Sequence, residues 1–369
     1  MSRPVYIAGT GAFLPGDPIP FERIDSVLGG LTKAPKSVRK WYESRTIVMR
    51  ELLDVSYVHY AIDPATRKFT EDNVTMSVKA AKTACAHAGV DAAGIECICY
   101  GSAHQDQMPT ASVRIQEALG IERCAELSIH ANCTSAYKAL HCAFEFIRNG
   151  VYKNALVVSS SMSSSELVAE YYNQEKLDKE SLFLRWFLCD GAGAVILTSD
   201  PVLSKGYELT QTFIESVGGK KKSLMYNERP AYWMPPNREY EEARHHLRQK
   251  FSNALSSEVF LEKNGSVFFN GLMRMISSGN IQIEKIKLFQ VNMPTKHIID
   301  SIMDECEKIG ISRSSLYSRL SDLGYTGPPM VFICLDSIIR NEKMEKGDLI
   351  VSFVTEVSKF MQAGYCIAA

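Results

Sequence analysis

From Ser135 to Gly150 apolar residues recur at Ala136, Leu140, Ala143, Phe144 and Ile147, one face of a helix that Gly150 ends. Strand-length apolar runs stand around it. Val5 to Phe13 and Ile95 to Tyr100 read as strands, and Asn154 to Ser161 as a buried strand ending in small polar residues. Cys189-Asp190-Gly191-Ala192-Gly193 brings small residues into a tight turn before a strand through Leu197. Helical spacing near Val74 to Ala88 and Ala111 to Leu119 falls between the earlier strands, an alternation that predicts a mostly parallel layered sheet.

The theme repeats after about Glu208. Leu209 to Val217 reads as a strand, and a long helical stretch runs from about Asn237 to Ser278. Lys287 to Asn292 is a strand, Thr295 to Ile309 and Pro329 to Asn341 are helices, and Leu349 to Val354 with Gly364 to Ala368 are closing strands. The chain therefore divides into two similar halves, 1–205 and 206–369, although identity between them is too weak to prove a repeat.

Cys133 ends the segment Ser128-Ile129-His130-Ala131-Asn132-Cys133, where the apolar run gives way to the helix after Ser135. Backbone N–H groups and the helix dipole at such a junction favour the thiolate, the form that attacks acyl carbonyls. An inert buried thiol is the ordinary alternative. His130, three residues earlier in a strand, is expected on the opposite face as a buried core or interface histidine.

Composition narrows the class without naming a chemistry. The 369 residues are 46% hydrophobic and carry 41 basic against 42 acidic side chains, so a large core is affordable and no nucleic-acid surface is implied. Ten cysteines are scattered through apolar segments, without framework spacing or a secretory leader, which suggests a reducing compartment. No C-x-x-C or H-E-x-x-H stands in the chain, and no apolar run reaches the roughly 20 residues of a membrane span. The expectation is a cytoplasmic protein with no cofactor, no metal, no nucleic-acid partner and no membrane contact. Tyr226 to Asn237 is rich in aromatics and proline, and its Trp233 is a candidate substrate-binding residue of a lid or interface, with a packed surface crossing as the equal alternative.

These pieces together resemble the thiolase-like condensing enzymes, specifically the ketoacyl synthase III branch. The matches are the Cys133 unit, Cys189-Asp190-Gly191-Ala192-Gly193, the opening strand Val5 to Gly11, Gln107-Met108-Pro109-Thr110-Ala111-Ser112, Ile115 to Gly120 and Gly347-Asp348-Leu349-Ile350. They span almost the whole chain. The resemblance implies an α/β protein of five-layer αβαβα architecture with pseudo-duplicated halves, and a cysteine that takes an acyl group from coenzyme A or a carrier protein. It also implies dimers, with Met108 at the position that crosses into the neighbour's acyl pocket, and with His104 in the loop that borders the site.

Two family positions are changed. The family's histidine aligns with Asn292, while His297 lies five residues on, inside a helix. The family's asparagine turn reads Leu323-Gly324-Tyr325-Thr326-Gly327, with Tyr325 in the asparagine's place. Asn292 can still donate through its amide and Tyr325 through its hydroxyl. The glycine-rich turn before the last strand becomes Val357-Ser358-Lys359-Phe360, where a backbone donor near Ser358 survives unless the turn needs positive φ. The expected site is thus Cys133, Asn292, Tyr325 and Ser358, with Met108, His104 and Trp233 toward substrate. The expected activity is acyl transfer from an acyl-carrier-protein or coenzyme A thioester to a small-molecule or carrier-bound acceptor in specialised metabolism, by a homodimer or a heterodimer with a homologue. A catalytically degenerate partner subunit, or a decarboxylative condensing enzyme with a non-standard enolate site, are the alternatives.

Overall fold

Two groups of five strands with the same internal order join in one ten-stranded sheet of this computed structural model, which describes residues 2–104, 108–175, 177, 179–227, 247–249 and 260–369. The first group is β1 (Tyr6–Phe13), β2 (Cys97–Ser102), β3 (Ala125–His130), β4 (Asn154–Met162) and β5 (Asp190–Thr198). The second is β6 (Glu208–Ser216), β7 (Ile286–Val291), β8 (Leu316–Tyr317), β9 (Leu349–Glu356) and β10 (Met361–Ala368). Across the sheet they run β8-β7-β9-β10-β6-β1-β5-β4-β2-β3. Counted within its own half, each group therefore reads third, second, fourth, fifth, first. The two halves share a topology that their residues no longer advertise. We propose the division at 205/206, within the connection from β5 to β6.

The sheet is mixed rather than mostly parallel. In the first half β3-β2 and β2-β4 are parallel while β4-β5 and β5-β1 are antiparallel. The second half repeats this with β8-β7 and β7-β9 parallel, β9-β10 and β10-β6 antiparallel. Only four residues join β9 to β10, and a connection that short permits an antiparallel pair alone.

Within the expected helical stretch from Asn237 to Ser278, the described residues form a helix over Val267–Gly279 and two short strand pairs before it. Leu247–Gln249 pairs with Met225–Asn227, and Leu261–Glu262 pairs with Gly265–Ser266 around Lys263-Asn264, turn chemistry that interrupts a helical period. Residues 237–246 and 250–259 lie outside the described residues.

The helices that position the site are α1 (Lys36–Leu53), α2 (Asn73–Ala88), α3 (Ala111–Ala118), α4 (Ser135–Arg148), α5 (Val267–Gly279), α6 (Lys296–Cys306) and α7 (Met330–Asn341). α2 covers β1, β5 and β4, whereas α5 lies on β9 and β10. Between the two half-sheets α4 touches β2 and β4 on one side and β6 and β10 on the other, with α7 beside it on β5 and β1. This is a five-layer αβαβα arrangement. Both central helices approach their strands over glycine: a Cβ on Gly101 would lie 2.4 Å from the Ser135 carbonyl oxygen, and one on Gly193 would lie 2.6 Å from Phe332 Cβ. Tyr137, Leu140, Phe144 and Ile147 of α4 are buried, each apolar side chain stabilising the sandwich by roughly 1.5–3 kcal/mol, and Tyr137 Oη shares a 2.7 Å hydrogen bond with Ser352 Oγ of β9. The end of α4 is thereby fixed against the second half. All ten cysteines are free thiols. Among the described residues no helix is long and apolar enough to cross a membrane.

Candidate active site

β3 stops at His130, the chain turns through Ala131–Thr134, and α4 starts at Ser135 with Thr134 as its N-cap. Cys133 therefore does sit at the N-terminus of a central helix, but the anion position there is already taken. The Thr134 N–H and Thr134 Oγ1 donate to Glu356 Oε2 at 2.9 and 2.6 Å, and Ser358 Oγ donates to Glu356 Oε1. A carboxylate, rather than the thiolate, thus meets the positive end of the helix. Burial first, and the Glu356 charge second, push the Cys133 thiol up to about 12, outweighing the hydrogen bond from Tyr325 and the backbone contact that favour the thiolate. The helix end therefore does not by itself lower the Cys133 thiol, which lies above its ordinary range.

Tyr325 reaches that thiol directly. Its Oη donates to Cys133 Sγ at 3.1 Å. Gly324 before it holds a positive φ of 70°, and the Tyr325 carbonyl accepts the Cys189 N–H at 3.1 Å, so the ring is anchored on the strand side at the entry to β5. Burial, then the neighbouring Cys133, raises the phenol well above its usual range, which keeps it a neutral donor. Asn292 stands one residue beyond β7, almost fully buried, and neither Nδ2 nor Oδ1 has a hydrogen-bond partner. His297 is exposed on α6.

A cavity of about 390 Å³ opens over Cys133 and Tyr325. Glu356 and Ser358 line one part of it, His104, His130 and Glu166 another, and Leu167, Leu184, Leu188, Met225 and Met361 supply apolar wall. His104 Nε2 lies 3.8 Å from Glu166 Oε1. His130 is not a core histidine, and the interface alternative stays open in a single chain. It is exposed at the cavity, its Nε2 3.0 Å from the Ala103 carbonyl oxygen, because the strand ends there and the turn to Cys133 abandons the period of two.

The remaining candidates separate. In the turn Val357–Phe360 the positive φ falls on Phe360, at 54°, and Val357, Ser358 and Lys359 are spared it. Met108 is 91% exposed and does not line the cavity of its own chain. Trp233, with most of the proline-rich segment, lies outside the described residues. Sequence reasoning overlooked Glu356 and Glu166. A charge closing the apolar run Leu349 to Val354 was a usable signal for Glu356, whereas nothing in the serine-rich stretch Ser159 to Ser165 pointed to Glu166.

Comparison with known proteins agrees with this arrangement. The family described as 3-oxoacyl-[acyl-carrier-protein (ACP)] synthase III matches residues 127–218, which include the Cys133 turn, α4, β4 and β5. The beta-ketoacyl-[acyl-carrier-protein] synthase III of Clostridium perfringens strain SM101 is 25% identical over 346 residues, covering 94% of this chain and 93% of its own. Among solved structures, the tetronic acid condensing enzyme AbyA1 superposes with a TM-score of 0.76 at 16% identity, over 99% of this chain and 100% of its own. The 3-oxoacyl-[acyl-carrier-protein] synthase III of Aquifex aeolicus VF5 gives 0.74 at 18% identity, again over 99% and 100%. With its duplicated half-sheets and its cysteine at the head of the first central helix, the chain has a thiolase-like fold and is similar along its length to ketoacyl synthase III-like condensing enzymes.

Proposed function

We propose that this protein is an acyltransferase that loads an acyl group from an acyl-carrier-protein or coenzyme A thioester onto Cys133 and passes it to an acceptor in specialised metabolism. The 3.1 Å hydrogen bond from Tyr325 to Cys133 in an apolar-walled cavity carries the reading, because it joins the nucleophile to a donor that does not titrate near neutral pH. In loading, Cys133 Sγ attacks the thioester carbonyl, the C–S bond to the carrier breaks, and the cysteine's proton ends on the departing thiolate, so the exchange needs no net base. Discharge to the acceptor frees Cys133 again.

Asn292 is a second, buried candidate for the site. A buried polar group without a partner costs about 1–3 kcal/mol, and Asn292 leaves both a donor and an acceptor in that condition. Asn292 does not line the cavity in this structure, so a bound group reaches its amide only if the wall between them shifts. The pairing of Asn292 with Tyr325 also replaces the histidine and asparagine that hold a malonyl-derived enolate in the resembling family, which favours transfer over decarboxylative condensation. The similarity to a tetronic acid condensing enzyme favours a setting in polyketide-type metabolism. Exposed Met108 and the outer edge of β3 favour a dimer, with Met108 entering the second copy's site.

Incubation with a panel of acyl-coenzyme A and acylated carrier proteins, followed by intact mass spectrometry, tests the reading. An adduct of acyl mass that disappears in Cys133→Ala is expected. Absence of an adduct across the panel refutes it.

A further inference from the structure

Among the described residues the wall of the Cys133 cavity carries two glutamates, Glu166 and Glu356, and neither lysine nor arginine. Of the described residues, two cations close to it are engaged elsewhere. Arg185 is buried on the Leu167 and Gly29 carbonyl oxygens and Asp25, and Lys138 Nζ, 3.0 Å from Met361 Sδ, does not line the cavity. The two glutamates are not equivalent. Glu356 is saturated by Thr134 and Ser358, whereas Glu166 Oε1 has His104 Nε2 at 3.8 Å, beyond hydrogen-bond length. His104 Nδ1, in turn, is buried with no partner.

Charges of one sign in a partly desolvated cleft repel an entering anion and concentrate cations. A carboxylate such as that of a malonyl group enters this cavity against both glutamates, while an ammonium group finds Glu166 open to it. We infer that the acceptor is a primary amine that binds as its ammonium ion at Glu166, and that the product is an amide. The inference rests on the acyl-transfer reading and names its acceptor class.

The step balances without a further reactant. The ammonium gives one proton to the His104–Glu166 pair, and the freed amine attacks the acyl carbonyl on Cys133. The C–N bond forms, the C–S bond breaks, and the departing sulfur takes the second proton from nitrogen, leaving amide and thiol. Regeneration of the pair releases one proton to solvent.

The test starts from isolated acyl-Cys133 protein, so that loading does not enter. It is mixed separately with n-hexylamine, 1-hexanol and malonyl-coenzyme A, and loss of the adduct and appearance of product are followed by mass. The amine should discharge the adduct at least about tenfold faster than the alcohol, and Glu166→Gln should slow the amine reaction by about tenfold. Discharge led by the alcohol or by malonyl-coenzyme A, or an unchanged rate in Glu166→Gln, overturns the inference. A second arm titrates the unloaded protein with n-hexylammonium and with hexanoate by calorimetry. Preferential binding of the cation, weakened several-fold in Glu166→Gln, supports the acceptor class. Equal or tighter binding of hexanoate refutes it even where loading of Cys133 has failed and the transfer reading has fallen on its own.

Discussion

Replacing Glu356 by glutamine removes the charge that competes with a Cys133 thiolate for the head of α4, and the structure predicts that it makes the cysteine more reactive. Opposed charges aside, two like charges several Å apart at an effective dielectric near 20 repel by ~2–4 kcal/mol, which corresponds to roughly two pKa units. Burial remains the larger cause of the raised thiol, so Cys133 stays above the ordinary range after the change. Two units more acidic, the thiol supplies about a hundredfold more thiolate at pH 8, but each thiolate is roughly tenfold less nucleophilic, since nucleophilicity falls with pKa with a slope of about 0.4–0.5. The net gain is about tenfold. Glutamine keeps an oxygen for the Thr134 N–H, so the helix end remains capped. The assay is iodoacetamide alkylation at pH 8 with peptide mapping to separate Cys133 from the other nine cysteines. An unchanged or slower rate at Cys133, in protein with wild-type circular dichroism, refutes the reasoning.

Tyr325→Phe deletes the donor to Cys133 and should slow discharge of a loaded acyl group on the order of tenfold to several-hundredfold in single-turnover mass spectrometry, with urea-unfolding stability changed by less than about 1.5 kcal/mol. Asn292→Ala should also slow discharge but leave stability unchanged or raised, because it removes two buried unpartnered atoms; a loss of more than about 2 kcal/mol in urea would show that the amide is structurally satisfied. Leu140→Ala opens a cavity between the half-sheets and should cost about 2–5 kcal/mol by the same measurement. Burial raises the Cys334 thiol to about 12, so the folded chain keeps a proton that the unfolded chain loses near pH ~8.5; this contribution is complete below that pH and fades as pH rises toward 12. Urea unfolding at pH 8 and 10.5 should show the decline, and Cys334→Ser should lessen it by one thiol's share, with Cys133 and Cys306 supplying the rest.

Much of the fold was legible because burial on both faces writes continuous apolar runs, as in β4, and because α4 shows its apolar face at helical spacing, whereas the tight turn expected at Cys189–Gly193 is strand from Asp190, its small residues making room for the central helix rather than turning the chain. Strand direction was not. It depends on connections such as the four-residue link from β9 to β10, which no periodicity records. The duplication was visible only as a strand order. Within the site, Cys133 and Tyr325 were found in sequence and are brought together, since each lies at the head of one of the two central helices or the turn leading to it. Beyond burial, the upward push on the Cys133 thiol has a long-range cause. The helix end that favours a thiolate is neutralised by Glu356, 223 positions away in the chain, a contact that local spacing does not contain. His130 lines the same cavity as Cys133 because it is the last paired residue of β3, and the alternation of a strand does not extend through the three-residue turn to Cys133.

The measurement that bears most directly on Cys133 as an acyl relay served by Tyr325 is a crystal structure of the protein after reaction with an acyl thioester. The account predicts continuous density from Cys133 Sγ into the apolar part of the cavity, with the acyl oxygen within about 3 Å of Tyr325 Oη or Asn292 Nδ2. An acyl group attached elsewhere, or one whose oxygen turns away from both donors, contradicts it.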